Sequence, residues 1–306
     1  MLYSEGLYDA GIAHWKEAKR LSPRMPVVDA DLGKAYLLLK HETTEARESF
    51  VDGTLNDPEN ADVYVGLDQA ASLSGSLATE RAAMLSRYPM ADSAQSKMPA
   101  DLVYQLALTR AEAGQFDASL TLFKDRFFPS EEGGISSDQV LFEVKLMQAE
   151  FDSKNHNCGE AGQVLSSELA AKYSSRSAQA LFRMAGVEQG CRLSEQSMEF
   201  LKKAASADQN PTNLPWIALA EKSLRANTVE QTEARIRAAI PAPDHLTEIN
   251  DFSSQRWYAI GMLQAEAHQY AAARQSFTNA ILLPDSFMSH HFARIAMKDL
   301  PEMAKR

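Results

Sequence analysis

Long apolar runs, glycine, proline and cysteine are all scarce in this chain of 306 residues, and basic residues are outnumbered by acidic ones. The longest apolar stretch, Tyr36-Leu37-Leu38-Leu39, is closed off by Lys34 and Lys40. A bilayer-spanning helix needs roughly 18–20 such residues, so membrane insertion by a helix is excluded. With 14 Gly and 12 Pro the chain is neither a flexible linker nor collagen-like. Two cysteines are too few for a disulfide-dense scaffold or a four-cysteine zinc site. The net charge of −10, from 31 basic and 41 acidic residues, disfavours nucleic acid and anionic lipid, whose charge must be neutralised by Lys and Arg.

The signatures of common chemistries are missing as well. There is no Gly-x-Gly-x-x-Gly, no P-loop and no Gly-x-Ser-x-Gly. The seven histidines (His14, His41, His156, His245, His268, His290 and His291) include no pair four residues apart, the spacing that puts two ligands on one helical face. The turn Glu131-Glu132-Gly133-Gly134 has nothing to grip a phosphate and reads, with Phe128 and Pro129 before it, as an exposed connection. No residue is therefore singled out as catalytic, cofactor-binding or metal-ligating, and the chain reads as a non-enzyme.

What remains is a folded composition, 45% hydrophobic and 24% charged, arranged with a period. Pro23, Pro58, Pro89, Pro129, Pro211, Pro241 and Pro284 each follow a segment striped at helical spacing. Proline stops a helix because it lacks an amide donor and crowds the preceding turn. Stops about every 34 residues are the period of a helix-turn-helix repeat. Between the prolines a second pattern recurs. Trp257 and Gly261 are followed, past a turn near His268, by Tyr270, Ala273, Phe277, Ala280 and Pro284. Gly33, Tyr36, Ala46, Phe50 and Pro58 repeat it, with one extra residue placed at the turn around His41. Leu106, Gly114, Phe116, Ser119, Phe123 and Pro129 form another copy, and Trp216, Leu219, Ala220 and Ala234 mark a further one. Weaker copies run through Tyr64–Pro89, Phe142–Tyr173 and Phe182–Ala207. Small residues make holes and aromatics make knobs, which lets antiparallel helices interlock.

This order of large, small, aromatic, small and proline positions resembles the tetratricopeptide repeat family over nearly the whole chain. The resemblance implies an all-α, right-handed superhelical solenoid of antiparallel helix pairs. It would form a single array over residues 1–306, with about seven or eight hairpins and a capping helix and tail at 286–306. The segment from Gly114 to Gly134 is also similar to repeat regions of large bacterial proteins that join such hairpins to a β-sandwich domain of unknown function, over about residues 101–175.

At the N-terminus, Gly6, Tyr8, Gly11, Trp15, Ala18 and Pro23 match the second half of a repeat, so the first hairpin reads as truncated and the chain as cut from a longer protein. No basic region followed by an apolar one opens the sequence, as a signal peptide would require. Only Met1 to Ser4 can cover the face of Tyr8, Gly11, Ile12 and Trp15, which makes self-association through this end an expectation. The charged tail from Asp299 to Arg306 suits a natural C-terminus. Cys158 and Cys191 lie 33 residues apart, one repeat, each in the turn of its own hairpin. Two readings stay open: a disulfide, or two unpaired small apolar side chains. A bridge would place the parent protein in an oxidising compartment; the localisation reading leans toward an exported or periplasmic part of a longer parent, and is otherwise cytoplasmic.

The resemblance implies a protein or peptide partner on the concave face, with no cofactor. Some family members hold a peptide carboxylate with Lys, Asn and Arg on the inner helices. The matching positions here are Ala30 and Lys34, Val65 and Gln69, and Tyr104 and Leu108, so that clamp is absent. Lys34, Gln69, Tyr104, Leu108, Tyr258 and Met262 are the candidate partner-binding residues. A structural spacer or oligomerisation arm, and an accessory region of an enzyme whose catalytic domain lies elsewhere, are the alternative functions.

Overall fold

The computed structural model describes residues 8–89, 98–126, 137–174, 177–239, 253–283 and 288–301. Among them every regular element is a helix. The chain divides into two units, Met1–Phe128 and Pro129–Arg306. The connection at 128–134 and the expected stops at Pro129, Pro241 and Pro284 lie outside the described residues, as do Met1 to Ser4.

In the first unit α1 (Tyr8–Leu21) precedes three hairpins. These are α2 (Pro26–Ala35) with α3 (Thr43–Asn56), α4 (Ala61–Leu73) with α5 (Ala78–Leu85), and α6 (Ala100–Glu112) with α7 (Phe116–Arg126). Pro26 starts α2, where its missing amide costs nothing. Pro23 and Pro58 sit in the turns between helices, as their stop role requires. Asn60 caps α4 by accepting a bond from the Asp62 amide at 3.1 Å. The first helices of successive hairpins also touch, α2 on α4 and α4 on α6.

The knob-and-hole pattern is literal here. The Phe50 ring, fully buried, is wedged between Gly33 of α2 and Gly66 of α4. A Cβ added at Gly33 would lie 2.5 Å from that ring, inside the 3.5–4.0 Å of an ordinary carbon contact. A charged cluster locks the same unit. Asp68 accepts from Arg81 Nη1 at 2.9 Å and from Gln105 Nε2 at 2.6 Å, while Arg81 also pairs with Glu112. Arg81 is only 2% exposed, so α4, α5 and α6 are tied through charges that have left water together.

The second unit contains α8 (Ser137–Lys154), α9 (Cys158–Leu165), the short α10 (Glu168–Ser174), α11 (Ala178–Gly190), α12 (Ser194–Ala205), α13 (Leu214–Ser223), α14 (Val229–Arg237), α15 (Ser253–Glu266), α16 (Tyr270–Leu282) and α17 (Ser289–Asp299). The pairs α8/α9, α11/α12, α13/α14 and α15/α16 are its hairpins. Phe277 repeats the role of Phe50, buried against Gly261. Thr228 and Gln231 form a reciprocal capping box at α14.

Each hairpin turn among the described residues shares one feature with the others. Its first helix ends on a left-handed residue: His41, Gly75, Gly114, His156, Arg192, Arg225 and His268 in order. The next amide then bonds back to a carbonyl five residues earlier, as Gln115 does to Arg110, Asn157 to Asp152 and Leu193 to Glu188. The first turn differs. There Glu42 bonds to Tyr36, six residues back, because Tyr36–Lys40 is wound as a π-helix. The extra residue of this copy is thus absorbed inside the first helix, where a π-turn accommodates one insertion, and not in the turn at His41–Thr44.

Candidate functional site

In tandem hairpins the first helices line one face, and the candidate residues sit on them. In the first unit Lys34 on α2 pairs with Asp62 on α4 at 2.8 Å, both side chains well exposed. Such a pair contributes about 0–1 kcal/mol and leaves Lys34 able to exchange partners. Gln69 on α4 and Tyr104 on α6 are half-buried, each offering part of its side chain to solvent. The Tyr104 ring meets Phe123 edge-on at 6.1 Å, which fixes its direction. Leu108 is fully buried and belongs to the core, out of reach of a docked partner.

The second unit arranges its first helices, α8, α11, α13 and α15, in a row of its own, but covers them. There α17 packs on α15 and α16 and reaches further back along the row. Phe292 of α17 lies against Tyr258 at 5.8 Å and beneath the Arg183 guanidinium of α11 at 4.3 Å. Asp299 at its far end pairs with Lys154 of α8 at 2.6 Å. Tyr258 is also held by Trp216 at 5.7 Å and Phe277 at 5.9 Å. Met262, one turn on, is half-buried. The aromatic strip is therefore present, and it is spent on the chain's own last helix.

Arg183, 5% exposed, is the electrostatic centre of this cover. It donates to Glu150 at 2.8 and 3.0 Å and pairs with Glu143. Burial would weaken the guanidinium's hold on its proton, but the charges of Glu150 and Glu143 outweigh it and keep Arg183 above its ordinary value. Burial, reinforced by the charge of Glu150, pushes the Tyr258 phenol well above the usual range, so it stays protonated. Sequence reasoning missed this cluster. Its signal was present: Glu143 and Glu150 are seven residues apart, two turns of one helix, on a stripe otherwise occupied by Leu146 and Met147.

Cys158 begins α9 and Cys191 follows the last residue of α11. They are joined as a disulfide with Cα atoms 5.6 Å apart, closer than the about 8–10 Å typical of packed helix axes. Both flank hairpin turns, where the backbone bends enough to close the difference. Among the described residues no three His, Cys, Asp or Glu side chains converge as metal ligands. His290 bonds to the Leu283 carbonyl at 2.6 Å, and both His290 and His291 are buried in the seat of α17.

No protein-family model and no curated protein matches the sequence. Solved structures do. A tetratricopeptide repeat protein from Parabacteroides merdae ATCC 43184 is similar at 10% identity, covering 86% of this chain and 94% of that one, with a TM-score of 0.52. Two crystal structures of MamA are similar at 15% and 14% identity, each over 74% of this chain and over 95% and 90% of theirs, with TM-scores of 0.36. At such identities the likeness concerns the fold, and the fold is that of tetratricopeptide-type helical hairpins. No described helix is long and apolar enough to cross a membrane.

Proposed function

We propose that this chain is a non-catalytic scaffold that holds a segment of another protein on the row of first helices in its first unit, through Lys34, Gln69 and Tyr104. The observation that carries the reading is a contrast between the units. The row in the second unit is sealed by α17 through Phe292 and Asp299. In the first unit Lys34 is exposed, and Gln69 and Tyr104 are partly so, on consecutive first helices. An aromatic with a fixed ring and two adaptable polar side chains suit a peptide or helix docked across a groove. The sealed row favours a second role for the other unit, as a rigid spacer in which Tyr258 and Met262 serve packing.

A photo-cross-linking residue placed at position 104 tests the reading in cells that express the protein. A discrete partner should be trapped from position 104 or 69 and not from Glu48, an exposed residue on α3. Equal trapping from Glu48, or none from 69 and 104, would reject it. The disulfide supports an oxidising location for the protein, and intact mass after alkylation without reduction checks it: two added alkyl groups would mean free thiols.

A further inference from the structure

The second unit has an open cleft of about 870 Å³ that none of the preceding roles uses. It opens between the end of α11 and start of α12 on one side, and the end of α13 and start of α14 on the other. Its floor is apolar, made by Phe182, Leu201, Val229 and Met198, and Met198 remains 43% exposed. A large apolar side chain left partly exposed within a recess is an anchor point for another apolar group.

The rim is basic. Arg192 and Arg225 both line the cleft, 33 residues apart at equivalent turns of consecutive hairpins. Neither guanidinium has an ion-pair partner among the described residues, whereas the third cation, Lys222, is committed to Glu266. Six other cations on this unit's helices, Lys154, Lys172, Arg183, Lys203, Arg235 and Arg237, are paired with carboxylates. Beside Arg192, Cys191 is tied to Cys158, which holds that side of the mouth in place. The net negative charge of the chain is screened beyond about 8 Å at physiological salt, so a ligand seated here responds chiefly to the rim.

We infer that this cleft is a second docking site, for an acidic segment of a partner protein that inserts a large apolar side chain between two carboxylates. Apolar burial on the floor supplies affinity, and the two guanidiniums select charge and fix orientation. The site is separate from the first-helix row of the first unit and does not depend on it.

Fluorescein-labelled hexapeptides test it by anisotropy on the full chain: DELFDE as probe, with KKLFKK and DESSDE as controls for charge and apolar anchor. DELFDE should bind on the order of tenfold more tightly than either control and weaken as salt rises from about 50 to 500 mM. The double variant Arg192→Glu/Arg225→Glu should lower its affinity on the order of tenfold, since two attractions become repulsions. Met198→Ser should weaken DELFDE and leave DESSDE unaffected. If the charge-reversed protein fails to fold, Arg192→Gln/Arg225→Gln replaces it and should still abolish the preference for DELFDE over KKLFKK. Tyr104→Ala should change none of this, which separates this site from the one proposed in the first unit. Absence of binding, or equal binding of the three peptides, or DELFDE affinity unchanged in a folded double variant, overturns the inference.

Discussion

Replacing Gly66 with alanine adds one methyl group at the tightest contact in the first unit. Gly66 faces the Phe50 ring on one side and Gly33 faces it on the other. The ring has no exposed surface, so it has nowhere to retreat. Overpacking a filled core costs about 1–3 kcal/mol, while Gly→Ala inside a helix contributes about 0.5–1 kcal/mol of stability. The net expectation is a loss of about 0.5–2 kcal/mol for Gly66→Ala, and a similar loss for Gly33→Ala. Gly186, in the interior of α11, supplies the control, because a Cβ there meets nothing within 4 Å. Gly186→Ala should stabilise by about 0.5–1 kcal/mol. Urea denaturation followed by circular dichroism gives the midpoints, and amide exchange across α2–α4 and α11 assigns each effect to its unit. Adding Phe50→Leu to Gly66→Ala should recover part of the loss, a coupling that independent sites would not show. If Gly66→Ala and Gly186→Ala both raise the midpoint, Phe50 is not confined as described and the interlocking argument fails.

Asp68→Ala should destabilise the first unit by about 3–5 kcal/mol, because it leaves the buried Arg81 with Glu112 as its one charged partner among the described residues; a change below about 1 kcal/mol in denaturation would contradict this. Cys158→Ser/Cys191→Ser should cost about 3–4 kcal/mol on the chain-entropy estimate for a 33-residue separation, read as a lower melting temperature of the second unit, and reducing agent should have no further effect on the double variant. Phe292→Ala should cost about 3–5 kcal/mol and speed amide exchange throughout α17. Unchanged protection of α17 in that variant would show that the helix is held by something other than the Phe292 contact.

The sequence determined the hairpins by itself, since each depends on residues close together along the chain. Helical striping, prolines in the turns at Pro23 and Pro58, and the small residues facing Phe50 and Phe277 are local facts whose packing consequence repeats. The extra residue near His41 was legible as an insertion, but its resolution as a π-turn was not, because either a longer turn or a wider helix could absorb it. Tertiary structure decided what the exposed and charged positions do. Arg183 meets Glu143 and Glu150 across two hairpins, and Phe292 closes over Arg183 from a helix more than a hundred residues later. Tyr258 and Leu108 carry the same inner-face pattern as Tyr104, yet one lies under α17 and the other is sealed in the core. The bridge between Cys158 and Cys191 depended on whether two turns bend to within 5.6 Å, which their spacing left open. Periodicity says which side of a helix faces inward, whereas the neighbour that covers it is set by how successive hairpins stack, a long-range geometry no local pattern encodes.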